Sequence, residues 1–114
     1  MPLLPTSELE IEYDSAGDGT PVVLVHGNYA SSRWWKPLFE RRPAGIRLIA
    51  PSTRGCGQSQ RTATGYDLPT LASDLRRLLT ALEVRRIHLV GHSLGGAIAM
   101  QYAVDWPDDV ATLM

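Results

Sequence analysis

The chain has 114 residues, a formal net charge of -1 and 44% hydrophobic residues, which together indicate one small globular domain. This balance gives no reason to expect nucleic acid or a membrane as a partner, and no apolar run approaches the roughly 20 residues that span a bilayer. The first residues, Met1 to Pro5, lack the basic and long apolar regions of a signal peptide. Cys56 is the single cysteine and cannot form an internal disulfide, so we expect a cytoplasmic protein.

The first part of the chain contains two extended segments and then a buried strand. Residues 3–6 form a short extended piece. In the next segment Leu9, Ile11 and Tyr13 alternate with acidic residues, which are Glu8, Glu10, Glu12 and Asp14. This alternation predicts a half-buried edge strand. After a turn, residues 22–25 form a continuous apolar run, which is typical of a strand covered by helices on both faces.

A first helix and another buried strand follow. The hydroxyls of Ser31 and Ser32 can cap a helix whose apolar residues recur at helical spacing, namely Trp34, Trp35, Leu38 and Phe39. Residues 43–45 end this helix because they include a proline and a glycine. Residues 46–50 then form an apolar strand that leads into a loop rich in glycine, residues 51–59.

The second half repeats this order of elements. Asp67 can cap a helix whose apolar stripe consists of Leu71, Leu75, Leu78, Leu79 and Leu82. Residues 87–90 are again a strand, and the helix after it must end near Trp106 because Pro107 follows. Alternating strands and helices predict a three-layer α/β domain over residues 1–114, with a mostly parallel sheet.

The most informative stretch is Gly91-His92-Ser93-Leu94-Gly95, a G-x-S-x-G sequence between a predicted strand and a predicted helix. In this motif the turn is so sharp that the serine backbone is strained, and side chains at 91 and 95 would collide. The serine hydroxyl is raised above the sheet, where the N–H groups of the following helix also point. The alternative is a glycine-rich turn with a surface serine, but the flanking strand and helix favour a nucleophile beside an oxyanion site.

Three segments, residues 22–28, 54–59 and 88–96, resemble the N-terminal half of an α/β-hydrolase in their order and spacing. The resemblance implies that Ser93 is the nucleophile and that the backbone N–H groups of Asn28 and Leu94 form the oxyanion hole. It assigns support of the two turns to His26, Gly27, Gly91, His92 and Gly95. A serine nucleophile implies acyl transfer with a small ester, lactone or related substrate. No cofactor is implied, and no cluster has the spacing of metal ligands.

Two aromatic residues are candidates for the substrate pocket. Tyr29 directly follows Asn28, and Trp34 lies in the first predicted helix. For Trp34 the preferred interpretation is that it packs the helix on the sheet together with its apolar neighbours.

The resemblance also has two departures. Ser52 stands where many members of the family carry an aspartate. The family further supplies a carboxylate and then a histidine from later strands, and no such pair follows Ser93 here. His26 is the one histidine expected beside Ser93, and hydrogen bonding to loop backbone is its preferred role. A last group, Asp105, Asp108 and Asp109, is expected to be solvated about 18 Å away, at about 1.5 Å per helical residue.

Two functions therefore stay open. The first is a serine hydrolase that is inactive without an acid and a histidine from elsewhere. The second is a non-catalytic half-domain that acts as a scaffold or assembly partner. Because the strand before Gly91 is expected to leave Ile87, Leu89 and Val90 unpaired at an open sheet edge, we expect pairing with a missing C-terminal half or a second copy.

Overall fold

The computed structural model describes residues 3–5 and 9–114. Within these residues lie six strands, β1 (Leu3–Pro5), β2 (Glu10–Ala16), β3 (Thr20–Val25), β4 (Ile46–Pro51), β5 (Ile87–Gly91) and β6 (Val110–Leu113). The helices are α1 (Lys36–Glu40), α2 (Leu68–Ala81) and α3 (Leu94–Asp105), with 3₁₀ helices at Ser32–Trp35 and Pro107–Asp109. Thr6 and Glu8, which belong to the predicted extended segments, lie outside the described residues. None of the described helices is long and apolar enough to cross a membrane.

The strands form one sheet in the order β1-β2-β4-β3-β5-β6. β3 is parallel to β4 and β5, and β6 is parallel to β5, whereas β2 is antiparallel to both β1 and β4. The predicted mostly parallel sheet is therefore confirmed. Val25 at the end of β3 is in register with Gly91 at the end of β5. The turns that follow these two strands consequently lie side by side at one edge of the sheet.

Helices cover both faces of the sheet. Val23, Ile49 and Leu89 are fully buried in the cluster that contains α2 and α3. Their neighbours Leu24 and Leu48 point the opposite way, because side chains alternate along a strand, and pack in a second cluster with Trp35, Phe39 and Ala50. The predicted three-layer arrangement is confirmed by these two clusters.

Helix α2 forms as its sequence predicts. The Asp67 side chain accepts a hydrogen bond from the N–H of Thr70 at 3.1 Å, which caps the helix. Four leucines of the predicted stripe are buried, and the fifth packs against the same core from just beyond the helix: Leu71, Leu75, Leu78, Leu79 and Leu82. The end of α3 is also confirmed, since it stops at Asp105, before Trp106 and Pro107.

Strand β2 differs from its prediction in two respects. It is not an edge strand, because β1 pairs along its outer side. Leu9 and Ile11 are buried as expected, but Glu12 is also completely buried, although the alternation grouped it with solvent-facing acids. The face that carries Glu12 is covered by Ser32 and Ser52, which come from other parts of the chain.

The predicted open edge along β5 is wrong. Strand β6 lies beside β5, and the Met114 N–H donates to the Leu89 carbonyl at 2.8 Å. The Gly91 N–H in turn donates to the Met114 carbonyl at 2.9 Å. The sheet therefore continues after α3 instead of ending with that helix.

Candidate active site

The turn between β5 and α3 has the strained geometry that its sequence predicts. Ser93 has φ 57° and ψ -119°, a backbone conformation that a residue with a side chain adopts at an energetic cost. The predicted strained backbone of this serine is thereby confirmed. Ser93 is exposed, and no described residue hydrogen-bonds its Oγ. The Ser93 hydroxyl therefore does not cap the N-terminus of α3.

Glycine is required on both sides of Ser93 for steric reasons. A Cβ at Gly91 would lie 2.3 Å from the carbonyl oxygen of Gly95. A Cβ at Gly95 would lie 2.1 Å from the carbonyl oxygen of Val25 and 2.5 Å from that of His26. These distances are far inside van der Waals contact, so the elbow packs directly against the backbone of β3.

The turn after β3 lies against the elbow. A Cβ at Gly27 would be 3.1 Å from Cβ of Ser93 and 3.1 Å from Nδ1 of His92, so these residues are in contact. Asn28 and Leu94 line one cavity of about 810 Å³ beside this contact. Neither residue's backbone N–H donates to any of the described residues. The structure thus brings both predicted oxyanion donors to one cavity.

Of the two adjacent tryptophans, Trp35 packs on the sheet as predicted and Trp34 does not. Trp34 was expected to pack on the sheet, but it is 54% exposed and stacks on His92, with ring centroids 5.2 Å apart. Trp35 lies in the core together with Phe39, whereas Leu38, also expected to pack there, is exposed. Tyr29 is 95% exposed and has φ 61°. Tyr29 lines the same cavity as Asn28 and Leu94, and Trp34 lines an adjoining one.

His26 is engaged through both ring nitrogens. Its Nε2 accepts the Thr53 N–H at 3.0 Å, so this nitrogen carries no proton, and Nδ1–H donates to the Gly27 carbonyl at 2.6 Å. The preferred structural role is thus confirmed, because both partners are loop backbone. Burial lowers the pKa of His26 below its ordinary 6.5, and the hydrogen bond to Gly27 opposes this only in part.

The other candidate bases and acids are also occupied or remote. His88 Nδ1 hydrogen-bonds Thr112 Oγ1 at 2.7 Å. Asp105 is exposed and its partner is Gln101, in agreement with the prediction for this residue. The prediction for Asp109 is wrong, because it forms an ion pair with Arg76 and is largely covered.

Comparison with known proteins identifies the family of this chain. Residues 20–114 match the model of the alpha/beta hydrolase fold. The chain belongs to this family. It is similar to a soluble epoxide hydrolase from Corynebacterium sp. (strain C12), with 36% identity over 103 residues that cover 90% of this chain and 36% of that protein. It is also similar to the non-heme chloroperoxidase CPO-A1 of Kitasatospora aureofaciens, with 41% identity over 104 residues, 90% of this chain and 38% of the relative.

Solved structures give the same result. Est816, described as an N-acyl homoserine lactone degrading enzyme, matches 98% of this chain and 43% of its own, with 35% identity and a TM-score of 0.90. An esterase from Exiguobacterium antarcticum matches 97% of this chain and 42% of its own, with 32% identity and a TM-score of 0.86. The chain therefore spans less than half the length of these α/β-hydrolases.

Within this hydrolase fold, a buried carboxylate fastens the loop after β4. Ser52 Oγ donates to Glu12 Oε1 at 2.8 Å and accepts the Ser32 N–H at 2.9 Å. Ser59 Oγ donates to the Ser52 carbonyl at 2.6 Å and accepts the Glu12 N–H at 2.9 Å. Arg33 adds a positive charge 3.4 Å from the same carboxylate oxygen. The serine at position 52 therefore ties the loop down through Glu12.

The same loop is held from its other side by an ion pair that the sequence motifs alone do not indicate. Arg54 donates to both carboxylate oxygens of Asp74, at 2.8 and 3.0 Å, and both side chains are buried. A signal for this pair was present in the sequence. Asp74 falls three residues after Leu71 and one before Leu75, so it lies on the apolar stripe of α2. A carboxylate on a buried stripe requires a cationic partner.

We expect Asp74→Asn to lower the free energy of unfolding by about 3 kcal/mol, because it removes the carboxylate that pairs with the buried Arg54 guanidinium. Urea denaturation of both proteins at one pH measures the difference. Asp105→Asn is the matched control, since Asp105 is exposed and its partner is the neutral Gln101. A loss for Asp74→Asn no larger than that of the control would contradict the structural role of this ion pair.

The lowered pKa of His26 predicts how stability depends on pH. Above pH 6.5 the His26 imidazole is neutral in both the folded and the unfolded chain. Below 6.5 the unfolded chain takes up a proton that the folded chain resists, so this group's contribution to stability falls until the folded-state pKa is reached. We therefore expect His26→Gln, which keeps an acceptor for Thr53, to lose less stability than the parent between about pH 7.5 and 5. Urea melts across this range test it, and parallel pH profiles would refute it.

Proposed function

We propose that this chain carries the nucleophilic half of a serine hydrolase that acts on a small ester, lactone or related acyl compound. The observation that carries the proposal is the position of Ser93. It is an exposed serine in a strained turn, next to a cavity lined by Asn28 and Leu94, whose backbone N–H groups have no acceptor among the described residues.

The proposed reaction follows from this arrangement. Ser93 Oγ attacks the carbonyl carbon of the substrate, and its proton passes to a general base. The negative charge that develops on the carbonyl oxygen is stabilised by the N–H groups of Asn28 and Leu94 and by the positive end of α3. The tetrahedral intermediate then expels the alcohol and leaves an acyl ester on Ser93, which water hydrolyses in a second step.

The identity of residue 93 favours acyl substrates over epoxides. A carboxylate that opens an epoxide forms an ester, which water can cleave in a following step. A serine alkoxide that opened an epoxide would form an ether, which a hydrolase site of this kind cannot cleave. Similarity to an epoxide hydrolase therefore supports the fold, whereas the serine supports ester or lactone chemistry.

We propose that residues other than the described ones supply the general base. These residues belong either to the same polypeptide or to a separate one. His26, His88 and His92 contact loop backbone, Thr112 and Trp34, and none of them hydrogen-bonds Ser93. Serine is a weak nucleophile without a base, so the 114 residues alone are expected to turn over little or no substrate.

Labelling with a fluorophosphonate probe tests the proposal in the full-length product of the gene. The probe phosphonylates activated serines, so we expect one modification, located on Ser93 by peptide mass spectrometry. A set of short-chain p-nitrophenyl esters then tests turnover. Absence of both labelling and turnover would favour the non-catalytic alternative, in which the elbow serves only as a scaffold.

A further inference from the structure

Two adjoining cavities next to the elbow have an unusual balance of charge. Their volumes are about 810 and 630 Å³, and both are lined by a common set of residues: Asn28, Tyr29, Ala30, Gly57 and Arg61. Leu94, the first residue of α3, lines the larger cavity, so the positive end of this helix lies at the cavity. Three arginines line these cavities, Arg33, Arg54 and Arg61, and within the described part of the chain no carboxylate lines either one.

Two of these arginines have carboxylate partners behind the cavity wall. Arg54 is paired with Asp74 at 2.8 Å, and Arg33 lies 3.4 Å from Glu12. Arg61 differs from both, because among residues 3–5 and 9–114 its only polar contact is with the Gly57 carbonyl at 3.4 Å. Among the residues that the structure describes, the Arg61 guanidinium in the shared wall of the two cavities thus has no carboxylate partner.

We propose that Arg61 binds a carboxylate on the substrate, so that the site prefers anionic esters over neutral ones; this rests on the proposed function. A guanidinium offers two parallel N–H groups that match a carboxylate. Leu94 and Arg61 line the same cavity, so an ester can place its carbonyl near the elbow and a carboxylate near Arg61. Tyr29 lines both cavities and is exposed. Its ring can cover the carbon chain that connects the ester group of the substrate to its carboxylate.

The test compares pairs of esters that differ only in charge. p-Nitrophenyl hydrogen suberate carries a carboxylate on its acyl chain, and p-nitrophenyl methyl suberate is its neutral match. A second pair places the carboxylate on the leaving group: the butyrate esters of 3-hydroxy-4-nitrobenzoate and of its methyl ester. The protein is the full-length gene product. We expect kcat/KM to be about tenfold higher for the anionic member of at least one pair, and the pair that responds identifies the half of the substrate that Arg61 holds.

Substitutions then assign this preference to Arg61. Arg61→Gln should remove it by lowering kcat/KM for the anionic ester alone, and Arg61→Lys should retain part of it. Arg85→Gln is the matched control, since Arg85 lines neither cavity. The preference should also shrink as ionic strength rises, because an exposed ion pair is screened by salt. No preference in the parent, or an equal loss for both esters in Arg61→Gln, would overturn the inference.

The same measurements separate this inference from the proposed function. If neutral esters are hydrolysed by the parent but not by Ser93→Ala, and no preference for anions exists, the proposed function stands and the role of Arg61 is wrong. If no ester is hydrolysed faster than by Ser93→Ala, both are wrong.

Discussion

Replacing Ser93 with alanine is expected to lower kcat for ester hydrolysis by a factor on the order of 10⁴ or more. The variant keeps the N–H groups of Asn28 and Leu94 but has no atom to form the acyl intermediate. Such donors and substrate binding alone accelerate hydrolysis only about a thousandfold over water in triad enzymes. Initial rates with p-nitrophenyl butyrate, measured on the full-length gene product, give the comparison.

The control for this variant is Ser73→Ala, which removes a hydroxyl from α2 and should leave kcat unchanged. Both variants should also unfold at nearly the same urea concentration as the parent, so that a loss of rate reports chemistry and not stability. A rate for Ser93→Ala within tenfold of the parent would remove Ser93 from the mechanism.

The buried strands could be predicted from sequence because their environment leaves little choice. Most residues of β3, β4 and β5 are apolar on both faces, since helices cover both sides of the sheet, and such runs are recognisable without knowledge of register. Helix α2 was equally clear, because its leucines repeat at the spacing of one helix face.

Glu12 shows where sequence patterns fail. Alternation assigns a charged residue to the solvent side, and this holds only where that side of the strand is bare. Ser32 and Ser52 cover Glu12 from segments 20 and 40 residues away in the chain, and both donate a hydrogen bond to its Oε1. Nothing within the β2 segment itself indicates these partners.

The outward position of Trp34 has a geometric cause. The prediction assumed α-helical spacing from Ser31 onward, but residues Ser32–Trp35 form a 3₁₀ helix. With three residues per turn, Ser32 and Trp35 share a face, and both are buried. Trp34 is thereby rotated outward, toward His92.

The elbow itself was predictable because Gly91 and Gly95, the two glycines of its motif, are required for steric reasons. The surroundings of the elbow were not predictable in the same way. The hydrogen bond between His26 and Thr53 joins the ends of two strands that are distant in sequence. Only the fold shows that Arg33 and Arg54 have carboxylate partners and that Arg61 has none within the described part of the chain.

The packing of the elbow predicts a large loss of stability for Gly95→Val. The new Cβ would lie 2.1 Å from the Val25 carbonyl oxygen and 2.5 Å from that of His26. This end of β3 cannot move aside easily, because β3 is hydrogen-bonded to β4 on one side and to β5 on the other. We therefore expect the free energy of unfolding to fall by more than about 4 kcal/mol, or the protein to fail to fold.

Gly96→Ala is the control that separates this clash from a general cost of changing glycine in α3. A Cβ at Gly96 would have Gly91 O as its nearest contact, at 3.6 Å, which is ordinary van der Waals distance. Alanine also favours a helix over glycine by about 1 kcal/mol, so this variant should be as stable as the parent or slightly more stable. Urea denaturation at one pH measures all three proteins. Equal midpoints for Gly95→Val and the parent would mean that the elbow does not press against β3, and the contact between the turn at Gly27 and Ser93 would lose its support.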